Sequence, residues 1–169
     1  RSCRVPGTRQ LIGLNPGGAF GSAKRWFPER YAGVCRQLID RSGAHILIFG
    51  SRAESALGGR IAEMTGAGCT DMSGRTTLRQ AMALTACCRL LLTNDSGLMH
   101  VAAALGVPVV AVFGPTDHRV TAPVGTSSRI VRVPTDCSPC LKPECPTDHA
   151  CMREITTDMV ARAVEEELR

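Results

Sequence analysis

Aromatic residues are scarce in this chain, with one Trp, one Tyr and four Phe among 169 residues. Few flat side chains are therefore available for stacking bases, and the net charge is only +5. Sequence-nonspecific nucleic-acid binding is disfavoured on both grounds. A small phosphorylated ligand, or an anionic membrane surface nearby, uses such a charge equally well. Long apolar runs are also missing. None approaches the ~20 residues of a membrane span, and no charged-then-apolar leader opens the chain, so a soluble, cytoplasmic protein is expected. Three short motifs are absent too: the dinucleotide fingerprint G-x-G-x-x-G, a phosphate loop ending Gly-Lys-Ser/Thr, and a metal-holding Asp-x-Asp. The common nicotinamide and ATPase readings thereby lose support.

What is present suits one well-buried domain spanning residues 1–169, with 44% hydrophobic and 21% charged residues. The chain begins at Arg1 rather than Met, as expected for a piece of something longer. Cysteine is abundant, at nine residues. Cys3, Cys35, Cys69, Cys87 and Cys88 are scattered, and Cys35, Cys87 and Cys88 fall in apolar helical pattern, where thiols act as small core residues. The other four, Cys137, Cys140, Cys145 and Cys151, lie close together with His149 among them. Four thiolates can hold a tetrahedral zinc, and the first pair has standard ligand spacing, but the remaining gaps fit no standard zinc ribbon. A structural zinc and packed or partly oxidised thiols both remain open. The sequence requires no other cofactor.

Continuous apolar runs recur at Gln10–Leu14, His45–Phe49, Arg89–Thr93, Val109–Phe113 and Arg129–Val133, with a short extra strand expected around Cys69–Met72. Runs that do not alternate mark strands buried on both faces, as in a parallel sheet. Helical stretches fall between them, at about Pro28–Arg41, Ser55–Thr65, Thr77–Cys88 and Leu98–Leu105. The order is that of an α/β fold, a Rossmann-like parallel sheet with helices on both faces. Ligands of such sheets sit beyond the carboxyl ends of the strands, here the loops after Leu14, Phe49, Thr93 and Phe113.

Each of these loops carries candidate chemistry. Thr93 to His100 forms a strand-to-helix turn, where unpaired N–H groups and the helix dipole favour an anion at Asp95, Ser96 and Gly97. Gly97 has no side chain to keep a diphosphate from the backbone. The competing reading is that Asp95 or Ser96 simply caps the helix. The loop Asn15 to Pro28 offers three glycines for close approach and two cations, Lys24 and Arg25. Glu54, after the second strand, is placed to accept hydrogen bonds from ribose hydroxyls, or else is a favourable anion at a helix start. His100 lies one helical turn beyond Ser96, where positive potential favours a neutral imidazole donor. Asp117 and His118 follow the turn Gly114-Pro115-Thr116, facing a sugar or capping a short helix.

The loop Pro16-Gly17-Gly18 to Lys24-Arg25-Trp26, the turn Asn94 to His100, the segment Phe113-Gly114-Pro115-Thr116-Asp117 and the cysteine segment occur in the order found in a known family. Together they resemble the bacterial glycosyltransferase family that contains the lipopolysaccharide heptosyltransferases. The resemblance implies the carboxyl-terminal, donor-binding domain of a GT-B enzyme, without the amino-terminal acceptor domain and its general base. By this resemblance Lys24 and Asp95 stabilise the departing diphosphate in an inverting transfer. Gly18, Lys24, Glu54, Thr76, Leu78, Asp95, Ser96, Gly97, Leu98 and His100 bind the donor, with Thr76 and Leu78 near the adenine. The implied partners are ADP-heptose and, through the other half, the lipopolysaccharide inner core, with peripheral contact to the cytoplasmic face of the inner membrane. The chain alone is then expected to be inactive. A catalytically silent nucleotide-binding module stands as the alternative. Another GT-B enzyme, such as an epimerase, would need catalytic carboxylates and histidines outside this pattern.

Overall fold

Five continuous apolar runs and the short one near Cys69 become the six strands of a single parallel sheet. The computed structural model describes residues 10–18, 20–124 and 127–169; Cys3 and Ala19 lie outside these. The strands are β1 (Leu11–Asn15), β2 (His45–Ile48), β3 (Cys69–Asp71), β4 (Leu90–Asn94), β5 (Val109–Val112) and β6 (Ser128–Val131). They lie in the order β3-β2-β1-β4-β5-β6, every neighbouring pair parallel. Side chains alternate across the sheet. Ile12, Leu14, Ile46, Ile48, Leu90, Leu92 and Val110 point to one face, while Leu47, Phe49, Leu91, Val109 and Phe113 point to the other. Both sets are buried, which explains why the runs read as continuous.

The first face is covered by α1 (Pro28–Ser42), α2 (Ser55–Thr65) and α7 (Thr157–Glu167), the second by α3 (Leu78–Cys87) and α4 (Gly97–Ala104). Helix α1 begins with Pro28, whose missing N–H costs nothing in a first turn. It exits at Gly43, at φ 64°, with that N–H on Ile39 O at 2.9 Å. Short helices α5 (His118–Thr121) and α6 (Ala150–Arg153) complete the chain.

Two expectations need correction. The run at Arg129 is not buried on both faces, because β6 is an edge strand and Arg129 is exposed. Cys87 is half-buried rather than core, whereas Cys35 and Cys88 are buried. Helix α7 is an element with no counterpart among the expected helices; the Thr156 hydroxyl accepts from the Met159 N–H at 3.3 Å as its cap. Val160, Ala161 and Val164 then recur at helical spacing and are buried against the α1 side of the sheet.

An irregular segment, residues 132–149, crosses the carboxyl end of the sheet. The Ser138 hydroxyl donates to Gly114 O at 2.5 Å, and the Leu141 N–H donates to Pro115 O at 2.8 Å. Pro143 O accepts from the Ala23 N–H at 3.0 Å, so this segment backs the glycine loop after β1. Gly21 sits there at φ 144°, and a Cβ on it would lie 2.2 Å from Pro143 O. Only glycine fits both the dihedral and the approach. Among the described residues no helix is long and apolar enough to cross a membrane.

Candidate functional site

The chain runs outward from β1 to β2 and β3, and in the opposite direction from β4 to β5 and β6. Strands β1 and β4 therefore flank the point where connections diverge and leave a crevice at their carboxyl ends. Asn15 and Asn94 terminate these two strands. Asn15 Nδ2 donates to Ser96 Oγ at 2.9 Å, and the Thr93 and Ser96 hydroxyls lie 2.9 Å apart. Ser96 Oγ in turn accepts from the Met99 N–H at 3.4 Å. Of the two capping candidates, Ser96 is the cap of α4.

Asp95 does something else. Its carboxylate pairs with the Lys24 ammonium at 2.7 Å, both side chains being largely buried at 7% and 13% exposure. The Thr121 hydroxyl donates to the same Asp95 oxygen at 3.4 Å, and the Lys24 ammonium also lies 4.8 Å from the centre of the Phe20 ring. Lys24 is thus held from two sides, with donors to spare.

Glu54 spans two loops. Its Oε1 accepts from the Gly18 N–H at 2.9 Å, while Oε2 accepts from the Ser51 N–H and hydroxyl, both at 2.7 Å. Burial alone would push its pKa up, but the bonds from Ser51 and Gly18, with Arg25 nearby, hold it below the usual carboxylate value. Gly17 lies directly under this carboxylate, and a Cβ there would stand 1.9 Å from Oε1. The space that Gly17 leaves is filled by Glu54. Around Gly97, by contrast, an added Cβ would meet nothing within 4 Å.

These groups enclose an open cleft of about 450 Å³. One wall is Asn15, Gly17, Gly18, Gly21 and Arg25; Ser51, Ala53 and Glu54 form the second, and Ser96 with Gly97 the third. Of the residues expected from sequence, Gly18, Glu54, Ser96 and Gly97 meet here. Lys24 and Asp95 pair with each other, and neither they nor Thr76, Leu78, Leu98 and His100 are among the lining residues. Leu78 begins α3 at 71% exposure, after Thr77, which caps that helix in a capping box with Gln80. His100 is exposed on α4. Asp117 caps α5 through the Arg119 N–H at 3.0 Å and also pairs with the Arg119 guanidinium.

Arg25, expected beside Lys24 as the second cation of the first loop, lines the cleft. One contributor, Asn94, was given no role of its own from sequence. Asn94 is fully buried and bonds to three separate segments, for which no local pattern exists. The cysteine segment gathers no metal site: among the described residues no group of three or more His, Cys, Asp or Glu is arranged to hold an ion. Cys137 is exposed, Cys140 and Cys145 are half-buried, and Cys151 is buried. Burial, with the neighbouring thiols, pushes Cys151 up to about 11. Among the described residues, then, no assembled ligand set supports the zinc reading.

The chain matches the family described as glycosyltransferase family 9 (heptosyltransferase) over residues 2–151. It is 43% identical over 131 residues to lipopolysaccharide heptosyltransferase 2 of Escherichia coli, covering 75% of this chain and 37% of that protein. Lipooligosaccharide heptosyltransferase 2 of Campylobacter jejuni is 36% identical over 159 residues, covering 90% and 49%. Among solved structures, the E. coli ADP-heptose LPS heptosyltransferase II superposes with a TM-score of 0.83 at 36% identity, over 97% of this chain and 48% of that one. A family 9 glycosyl transferase from Veillonella parvula gives a TM-score of 0.81 at 27% identity, over 97% and 47%. The chain spans half or less of the length of these relatives. With the sheet order, the cleft at its switch point and these likenesses in agreement, the chain belongs to glycosyltransferase family 9, the heptosyltransferases.

Proposed function

We propose that this chain is the donor-binding half of an inverting lipopolysaccharide heptosyltransferase, holding ADP-heptose in the cleft between β1 and β4. The observation that carries the reading is the open backbone at Gly97, at the start of α4, facing a wall that bears Gly18 and Arg25, in the loop that also carries Lys24. A diphosphate suits that setting, because helix-start N–H groups and cations stabilise the charge that develops on a departing ADP. Asp95 serves the anion indirectly. A carboxylate facing a diphosphate would repel it, whereas paired to Lys24 it orients the ammonium. Glu54 retains acceptor capacity on Oε1, which takes one protein hydrogen bond, and so suits a ribose hydroxyl. Thr76 and Leu78 would border the adenine, and Leu98 and His100 the sugar. One solved relative carries ADP-heptose and LPS in its name, which fits this donor and a lipopolysaccharide acceptor.

Transfer to the inner core would need the acceptor half and its general base, so the chain by itself is expected to bind but not to transfer. The reading places it in the cytoplasm, with peripheral contact to the inner membrane. Calorimetric titration with ADP, ADP-heptose and UDP-sugars tests the proposal. ADP and ADP-heptose are expected to bind and UDP-sugars to bind more weakly; a preference for a UDP-sugar overturns the reading. Transfer of heptose by the chain alone would overturn the division of labour.

A further inference from the structure

We infer that Asn94 is the positioning residue of this site: one buried amide closes the glycine loop at both ends and thereby sets where Lys24 stands. Asn94 is the last residue of β4 and is fully buried. Its Nδ2 donates to Pro16 O at 2.6 Å and to Gly17 O at 3.3 Å, at the start of the loop. Its Oδ1 accepts from the Trp26 N–H at 3.4 Å, at the end of the same loop, and from the Tyr31 hydroxyl on α1. Both donors and both acceptor positions of the amide are engaged, which is the full capacity of an Asn side chain.

The consequence is geometric. Residues 16 and 26 are tied to one side chain, which fixes the loop at both ends, and Lys24 and Arg25 are carried near the second of them. Asp95, the residue after Asn94, then meets Lys24 at 2.7 Å. Anchor and target are neighbours on one strand end, so the loop is positioned relative to the group it must reach. Tyr31 orients the amide. Its hydroxyl is fully buried and donates to Oδ1, which turns Nδ2 toward the two carbonyls. Burial raises the Tyr31 pKa well above its ordinary value, so this donor keeps its proton. Trp26 is fixed in the same unit: its ring meets Tyr31 edge-on with centroids 4.9 Å apart, and its Nε1–H donates to Ile155 O at 3.1 Å. The functional meaning of the placement rests on the donor-site reading; the placement itself does not.

Lys24 and Lys142 are the two lysines of the chain, and Lys142 is exposed. Acetylation by a limiting dose of acetic anhydride, read by peptide mass spectrometry as the Lys24-to-Lys142 rate ratio, therefore reports the protection of Lys24 with an internal standard. Asp95→Asn, which removes the paired charge, sets the freed level. Asn94→Ala is expected to raise the ratio at least about tenfold toward that level, since two or more buried hydrogen bonds are lost. Tyr31→Phe is expected to raise it less while melting as cooperatively as the wild type. A merely structural role would lower the melting temperature of the folded variants and leave the ratio unchanged, and that result overturns the inference. If Asn94→Ala does not fold, Tyr31→Phe decides alone: a raised ratio supports the inference and an unchanged one overturns it. ADP titration of the same proteins separates the two readings. A wild type that fails to bind ADP while the variants free Lys24 refutes the donor site and upholds the positioning role.

Discussion

Replacing Gly17 by Ala probes how the first two loops are locked together. Gly17 is not in the left-handed region, so alanine meets no backbone penalty there. Its Cβ would nonetheless stand 1.9 Å from Glu54 Oε1. The backbone cannot retreat, because Asn94 holds both the Pro16 and Gly17 carbonyls, and so the carboxylate has to leave. Moving it is sterically easy, but it forfeits three hydrogen bonds, at 2.9, 2.7 and 2.7 Å. Bonds to a charged group are commonly worth 1.5–3 kcal/mol, but water replaces part of that at a half-exposed site, leaving about 1 kcal/mol each and about 2–3 kcal/mol in all. For a chain of this size that lowers the melting temperature by about 4–12 °C, measurable by circular dichroism or calorimetry. The same substitution made on a Glu54→Ala background should be nearly silent, since the clash and the bonds are both gone. Equal destabilisation in the two backgrounds would refute the reasoning.

Further predictions follow from the same geometry. Because the folded-state pKa of Glu54 lies below its ordinary value of 4.5, its contribution to stability is present above that pH and is lost as pH falls through the lower, folded value. Glu54→Gln should flatten the acid limb of the stability curve measured by urea unfolding across pH. Gly97→Val should leave the melting temperature within about 2 °C, since an added Cβ meets no neighbour, yet abolish ADP binding by calorimetry. Lys24→Ala should weaken ADP affinity roughly tenfold or more through loss of a charge-assisted bond. Gly13→Ala should destabilise by about 1–3 kcal/mol in denaturant unfolding, because its Cβ would lie 2.8 Å from Leu91 Cδ1 in the packed face of the sheet.

Much of the framework was legible in the residues themselves. The runs at Leu11, His45, Leu90 and Val109 are continuous because parallel strands bury both faces, and that one property announces the sheet. Pro28 and Gly43 mark the ends of α1 by what their backbones cannot or can do. The edge position of β6 was not legible, since an edge is a property of the assembled sheet; and α7 escaped because its apolar stripe of Val160, Ala161 and Val164 is interrupted by charged residues that face away.

For the site, the residues alone supply the ingredients: glycines where a backbone must come close, cations in the first loop, a capped helix start after β4, and the motif order shared with family 9. Tertiary structure decided their roles. Lys24 and Asp95 both looked like partners of a diphosphate, and folding paired them with each other, because opposite charges withdrawn from water must be matched. Gly17 looked like room for a ligand, and its room is taken by Glu54. Asn94 looked like one polar residue in a turn, and it proved to bind segments 63 and 78 residues away. Local pattern carries the periodicity of strands and helices and the chemistry of turns. Which buried donor finds which acceptor depends on distances set only once the sheet has brought the ends of β1 and β4 side by side.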